Sequence, residues 1–173
     1  GTYGSVAIGS HALSAHNGSN HIIAIGHNAM KERTSGSSTI AIGESAGGIA
    51  SGDVGDKNVL IGTNAGYSLD GSGGAYEAFS NVFIGANAAD SATTGLKNTA
   101  IGTDAGVSLV AGSQNSFFGY YAGTGGNTER GTFLGEYTTT AGGGTTNETV
   151  IGNGAVGKGS HTVVLGDDNI TDI

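Results

Sequence analysis

Ten times along this chain a short run of β-branched or aromatic residues ends on a glycine: SVAIG, IIAIG, TIAIG, NVLIG, NVFIG, NTAIG, NSFFG, GTFLG, ETVIG and TVVLG. The closing glycines are Gly9, Gly26, Gly43, Gly62, Gly85, Gly102, Gly119, Gly135, Gly152 and Gly166, most often 17 residues apart. Three residues after the glycine an alanine recurs (Ala12, Ala29, Ala46, Ala65, Ala88, Ala105, Ala122, Ala155), with Thr138 and Asn169 as exceptions. A fixed period of this kind marks an array of one repeated unit. Each unit reads as a strand closed by glycine, a second short strand (x-N-A), and a variable Gly/Ser/Asn loop. A period near 17 is too short for two helices and a turn. It suits an all-β parallel solenoid, or β-roll, of about ten coils. Stacked at ~4.8 Å per coil, the rod would be roughly 45 Å long. The repeats fill residues 1–166, and 167–173 reads as an exit segment toward a following domain.

Alternation within each strand sets what faces inward. The residue before each glycine is always apolar (Ile8, Ile25, Ile42, Ile61, Ile84, Ile101, Phe118, Leu134, Ile151, Leu165) and is expected to fill the coil. The residue one earlier then points outward: Ala7, Ala24, Ala41, Leu60, Phe83, Ala100, Phe117, Phe133, Val150 and Val164. That row is apolar in every copy. A continuous exposed apolar stripe marks an association surface, so these ten residues are expected to form the contact between copies of the chain. Symmetric closure about a long axis would bury three stripes on one another, and a dimer satisfies the same logic.

The stretch GESAG (43–47) has the G-x-S-x-G form of a nucleophile elbow, which needs a strand before it and a helix after it. Residues 48–58 have no helical period and three glycines. The slot of Ser45 is filled elsewhere by His11, Asn28, Asn64, Asn87, Asp104 and Tyr121. GESAG is therefore a turn of the repeat. GNGAVGKG (152–159) approaches a phosphate-binding loop, but Gly159 stands where Ser or Thr is required and no helix is expected to follow.

Composition narrows the function classes. Glycine makes up 35 of 173 residues, with no Pro, Cys or Trp, yet the apolar residues are grouped as a folded chain requires. The net charge of −8 argues against nucleic acid and against docking to an anionic membrane. No apolar run is long enough to insert into a membrane as a helix. Five histidines (His11, His16, His21, His27, His161) lack metal-ligand spacing. DGSGG (70–74) and DVGD (53–56) lack calcium-loop spacing and read as turns. No cofactor or metal is expected. Asn17, Asn147 and Asn169 head glycosylation sequons, which matter only on a eukaryotic secretory route. Gly1 is an unusual natural start, so the chain reads as a piece of something longer.

The repeats SVAIGSHALS, TIAIGESAG and NTAIGTDAG resemble the head repeat of trimeric autotransporter adhesins such as the Yersinia adhesin, which also occurs in bacteriophage tail fibres and spikes. The closing TVVLGDDNITDI is similar to the segment preceding the self-cleaving chaperone domain of many phage fibres. The resemblance implies a left-handed parallel β-roll assembled as a homotrimer. It implies a structural and receptor-binding segment of a phage tail fibre or tailspike, extracellular on the virion, attaching to bacterial surface glycan or outer-membrane protein. A chaperone or tip domain would follow it. The alternative is the head of a bacterial adhesin on the outer-membrane surface, binding host matrix.

Candidate contacts lie on the loops. The longest insertion, YSLDGSGGAYEAFSN (67–81), carries Tyr67, Tyr76 and Phe79, and Tyr120, Tyr121 and Tyr137 form a second patch. Aromatics there can stack on sugars or anchor a protein, or tuck back as a lid. No catalysis is expected. The rival enzyme reading, a fibre-borne glycan hydrolase, would draw on Glu44 with Asp53 or Asp104 and needs carboxyls ~5–9.5 Å apart. An ice-binding solenoid would want a recurring threonine row, which Thr63 and Thr103 do not supply.

Overall fold

The computed structural model describes residues 4–15, 21–32, 37–48, 55–71 and 78–170. It is a parallel β-solenoid, with no helix among those residues. The strands are β1 (Val6–Ile8), β2 (Ile23–Ile25), β3 (Ile40–Ile42), β4 (Val59–Ile61), β5 (Val82–Ile84), β6 (Thr99–Ile101), β7 (Ser116–Phe118), β8 (Thr128–Glu129), β9 (Thr132–Leu134), β10 (Thr145–Thr146), β11 (Thr149–Ile151) and β12 (Val163–Leu165). All but β8 and β10 form one ten-stranded sheet in chain order, and β8 and β10 pair with each other. Every pairing is parallel and strictly in register: Ala7 on Ala24, Ala24 on Ala41, Ala41 on Leu60, Leu60 on Phe83.

The closing glycine is required by backbone geometry. From Gly9 to Gly152 the repeat glycines hold φ between 125° and 138°, a region closed to side chains. A Cβ on Gly43 would lie 2.5 Å from the carbonyl oxygen of Gly62 on the next rung. The glycines thus stack backbone on backbone, which ends each strand after three residues.

The second strand expected after each glycine is a turn instead. Two residues past the glycine the backbone is left-handed: His11, Asn28, Ser45, Asn64, Asn87, Asp104, Tyr121 and Tyr137 have φ of 51–61°. Asn, Asp and His tolerate that region better than other residues, which accounts for their recurrence in the slot. The turns still bond rung to rung, as in Asn28 N–H to Ser10 O at 2.9 Å and Met30 N–H to Ala46 O at 3.0 Å. Coil-to-coil hydrogen bonding therefore needs no second sheet.

The inward and outward rows are the reverse of the expectation. Ala24, Ala41, Leu60, Phe83, Ala100, Phe117, Phe133 and Val150 are fully buried inside a single chain, and Val164 packs against the same core. They are core, not the contact surface between copies. Only Ala7, on the end strand β1, is exposed. The residues on either side of the row face out. Ile8 is 58%, Ile101 37%, Phe118 37% and Leu134 48% exposed. The interior is narrow and admits one strand side chain per rung, and alternation leaves that residue's two neighbours on the outer face.

Volume is balanced across that interior. Beneath the Phe117 ring lie Gly106 and Gly123, where any Cβ would press on the ring. Near Ala41, the buried Met30 fills the space: a Cβ on Gly47 would sit 3.0 Å from its Cγ. Phe117 and Phe133 stack with centroids 5.4 Å apart.

One face of the interior is polar and satisfied. Asn58, Asn81, Asn98 and Asn115 head successive strands and are buried. The Oδ1 of each accepts the backbone N–H of the next: Asn81 N–H to Asn58 Oδ1 at 2.8 Å, Asn98 to Asn81 at 2.9 Å, Asn115 to Asn98 at 3.0 Å. Gly131 N–H closes the series on Asn115 Oδ1 at 2.7 Å. The amide nitrogens donate to loop carbonyls, including Gly95 O at 2.9 Å and Gly112 O at 2.8 Å. This ladder holds the loop at each corner against the strand. One rung beyond Gly131, Glu148 takes the same position, fully buried, its Oε1 accepting the Gly159 N–H at 2.9 Å.

Candidate functional site

Three of the aromatic residues expected at a surface site come together. Tyr121 and Tyr137 occupy the left-handed turn slot on successive coils, so the ladder places one ring beside the other. Their planes lie 15° apart with centroids at 5.6 Å. Tyr120, one position earlier in the turn, packs edge-on against both, at 4.6 Å from Tyr121 and 5.3 Å from Tyr137. Tyr120 is 41% and Tyr137 49% exposed. A hydrogen bond to Tyr137 is the largest cause holding the Tyr120 phenol above its ordinary range, and desolvation and neighbouring negative charge add to it. The rings are braced on one another before any ligand arrives.

Polar groups rim this cluster. In the column that holds Tyr120, the next two coils place Glu136 and Asn153, both exposed, with Asn153 Nδ2 donating to Glu136 Oε2 at 3.3 Å. On the other side the turn column runs Asn64, Asn87 and Asp104. Asn64 Nδ2 donates to Asn87 Oδ1 at 3.2 Å and Asn87 Nδ2 to Asp104 Oδ1 at 3.0 Å. Reading the repeat glycine by glycine would have found Glu136 and Asn153, since both follow a repeat glycine directly.

The insertion loop is placed in part. Tyr67 is half-buried and its N–H bonds Asn64 O at 3.1 Å. Phe79 is half-buried with Lys97 Nζ 5.8 Å from its ring centroid, a cation–π arrangement. Tyr76 lies outside the described residues, as do His16, Asn17 and Asp53.

The other motifs resolve into parts of the roll. Ser45 stands in the left-handed turn slot between Asn28 and Asn64, and the described residues after it form no helix. Residues 152–159 are a turn, a single bridge at Val156 and a bend, with Lys158 Nζ 3.8 Å from Asp168 Oδ1. Asp56 Oδ1 accepts the Ser37 N–H at 2.7 Å, a turn role. His11 and His27 meet edge to face at 6.4 Å, and His27 Nδ1 is 3.6 Å from Glu44 Oε1. Among the described residues no three His, Cys, Asp or Glu gather as metal ligands. Glu44 and Asp104 sit three rungs apart, roughly 14 Å at the spacing of paired strands, beyond the reach of a glycosidase pair. Asp167 is held below its ordinary value by hydrogen bonds from the Asn169 side chain and backbone and shapes the exit from the roll.

No family model, curated protein or solved structure matches the chain.

Proposed function

We propose that the chain is a rod-forming, surface-binding segment of a phage tail fibre or tailspike, assembled as a parallel homotrimer and displaying its turns to the bacterial surface. The observation that carries this reading is the outer face of the ten-stranded sheet. Each strand presents two side chains there, and the column ending each strand runs Ile8, Ile25, Ile42, Ile61, Ile84, Ile101, Phe118, Leu134, Ile151, Leu165 without a polar break. A face of that length exceeds the apolar patches that monomers leave in water. The surface expected between copies thus has the same logic as the sequence reading but a different set of side chains.

The companion column argues for the direction of association. It runs Val6, Ile23, Ile40, Val59, Val82 and then changes to Thr99, Ser116, Thr132, Thr149 before Val163. Copies packed parallel and in register bring aliphatic rungs to aliphatic rungs and hydroxyls to hydroxyls. An antiparallel pair would set hydroxyls against isoleucines and desolvate them without partners. A symmetry axis along the rod is therefore favoured over the crosswise two-fold of an antiparallel dimer, and the resemblance of the repeat supplies the number three.

The exposed aromatic cluster of Tyr120 and Tyr137 suits recognition. Adsorption tests this. Labelled assembled protein should coat cells of a susceptible bacterium, and the Tyr120→Ala/Tyr137→Ala variant should coat them far less. Equal coating by both would remove the tyrosines from the reading. Coating of host matrix but of no bacterium would transfer it to the adhesin head.

A further inference from the structure

The column of turn side chains that contains Tyr121 and Tyr137 stops abruptly. The Tyr121 N–H bonds Thr103 O, the Tyr137 N–H bonds Tyr120 O, and the Gly154 N–H bonds Glu136 O at 2.8 Å. Gly154 is thus the next rung of the same column. It keeps the left-handed backbone, with φ of 68°, but carries no side chain, and a Cβ built on it meets nothing within 4 Å. One face of the Tyr137 ring is stacked by Tyr121, and the next rung of its column, at Gly154, carries no side chain to stack on the other.

We propose that this rung is a binding site for a neutral pyranose ring, with Tyr137 as its floor. The proposal rests on the surface-binding reading above and names its ligand class. A pyranose presents a face of C–H bonds to an aromatic ring and hydroxyls around its edge. The site offers both complements: the exposed Tyr137 ring, fixed by Tyr120 and Tyr121, and the Glu136–Asn153 pair one residue away along the turns. Bracing of the rings before binding reduces the ordering cost on association. A protein anchor would call for a desolvated pocket, whereas this platform is open, with Tyr137 49% exposed. Glu136 beside the ring, Asp104 close enough to act on Tyr120, and the chain's net charge of −8 disfavour sugars that carry a carboxylate or sulfate.

Saturation-transfer NMR on the full chain tests this with lactose, chitotriose and sialyllactose as probes. At least one neutral probe should receive saturation on its ring C–H protons, and sialyllactose should bind more weakly than lactose. Tyr137→Ala should weaken binding about tenfold, the worth of one stacked ring. Gly154→Asn should do the same. Asparagine already holds the slot at positions 28, 64 and 87, so this variant keeps the fold and fills the rung. Unchanged circular dichroism checks that. Absence of transfer to both neutral probes, or undiminished transfer in Gly154→Asn, overturns the proposal. If the protein coats bacteria but neither neutral probe receives saturation, the sugar assignment falls and the surface-binding reading stands. If it coats no cells either, both fall. Equal coating of periodate-oxidised cells points to a protein partner and also overturns the sugar assignment.

Discussion

Replacing Asn98 by alanine should destabilise the roll by about 4 kcal/mol. The side chain makes four hydrogen bonds. Its Nδ2 donates to Asn81 Oδ1 at 3.2 Å and Gly112 O at 2.8 Å, and its Oδ1 accepts from the N–H and Nδ2 of Asn115, each at 3.0 Å. Truncation does not orphan every partner. Asn81 Oδ1 still accepts the Asn98 N–H, and Asn115 Nδ2 still donates to Thr128 O. The Gly112 carbonyl and the Asn115 N–H lose their bonds to this side chain, at a buried corner of the coil. At roughly 1–3 kcal/mol for each buried unsatisfied group, the sum falls between about 2 and 6 kcal/mol. Urea unfolding at fixed protein concentration measures it, with Asn153→Ala on the surface as control. Hydrogen exchange at the Asn115 amide should accelerate more than at rungs farther along the rod, because coils contact only their neighbours. A loss under about 1 kcal/mol, matching the control, would refute the view that the ladder holds the corners of the coil.

Further outcomes follow from the same geometry. Gly85→Ala should prevent native assembly, since its φ of 138° and the backbone of Gly102 leave no place for a Cβ; circular dichroism of the purified variant reports it. Phe117→Ala should cost about 3–5 kcal/mol in denaturant unfolding, as the glycines beneath the ring cannot fill the cavity. In ultraviolet titration Tyr120 should ionise above the ordinary value of 10.0, and Tyr137→Phe, by removing the hydrogen bond that is the largest cause, should lower it toward that value. Because the folded-state value is raised, the associated stability is present below pH ~10 and declines as the pH climbs through the folded value.

The solenoid was legible because its glycines cannot be replaced. Where a Cβ would come within 2.5 Å of the next rung's carbonyl oxygen the chain must write glycine each time, and the period shows the fold directly. The facing of the strands was not legible, for a reason equally local. In VLI or VFI all three residues are apolar, so alternation separates the middle residue from its neighbours without saying which side is the interior. The small residue was the available clue: Ala24, Ala41 and Ala100 suit a narrow core facing Ala29, Ala46 and Ala105, and make a poor contact stripe. The second strand was not legible as a turn, because Asn or Asp before alanine fits the polar position of a short strand as well as the left-handed turn it forms here. The asparagine ladder was visible as N-x-x-I-G, but a polar residue at a strand start looks the same whether buried or solvated. In the site, the tyrosine cluster was legible from Tyr120, Tyr121 and Tyr137, while Gly154 was not, because its role is to lack a side chain in an aligned column.

The most direct test of the assembly is the molar mass of the folded protein by sedimentation equilibrium, for the native chain and for Ile61→Asp/Ile84→Asp on the outer sheet face. The native protein should sediment at about three times the chain mass of 16.8 kDa, and the variant should dissociate or lose its structure. A native protein that is fully folded at the single-chain mass at micromolar concentration would contradict the account.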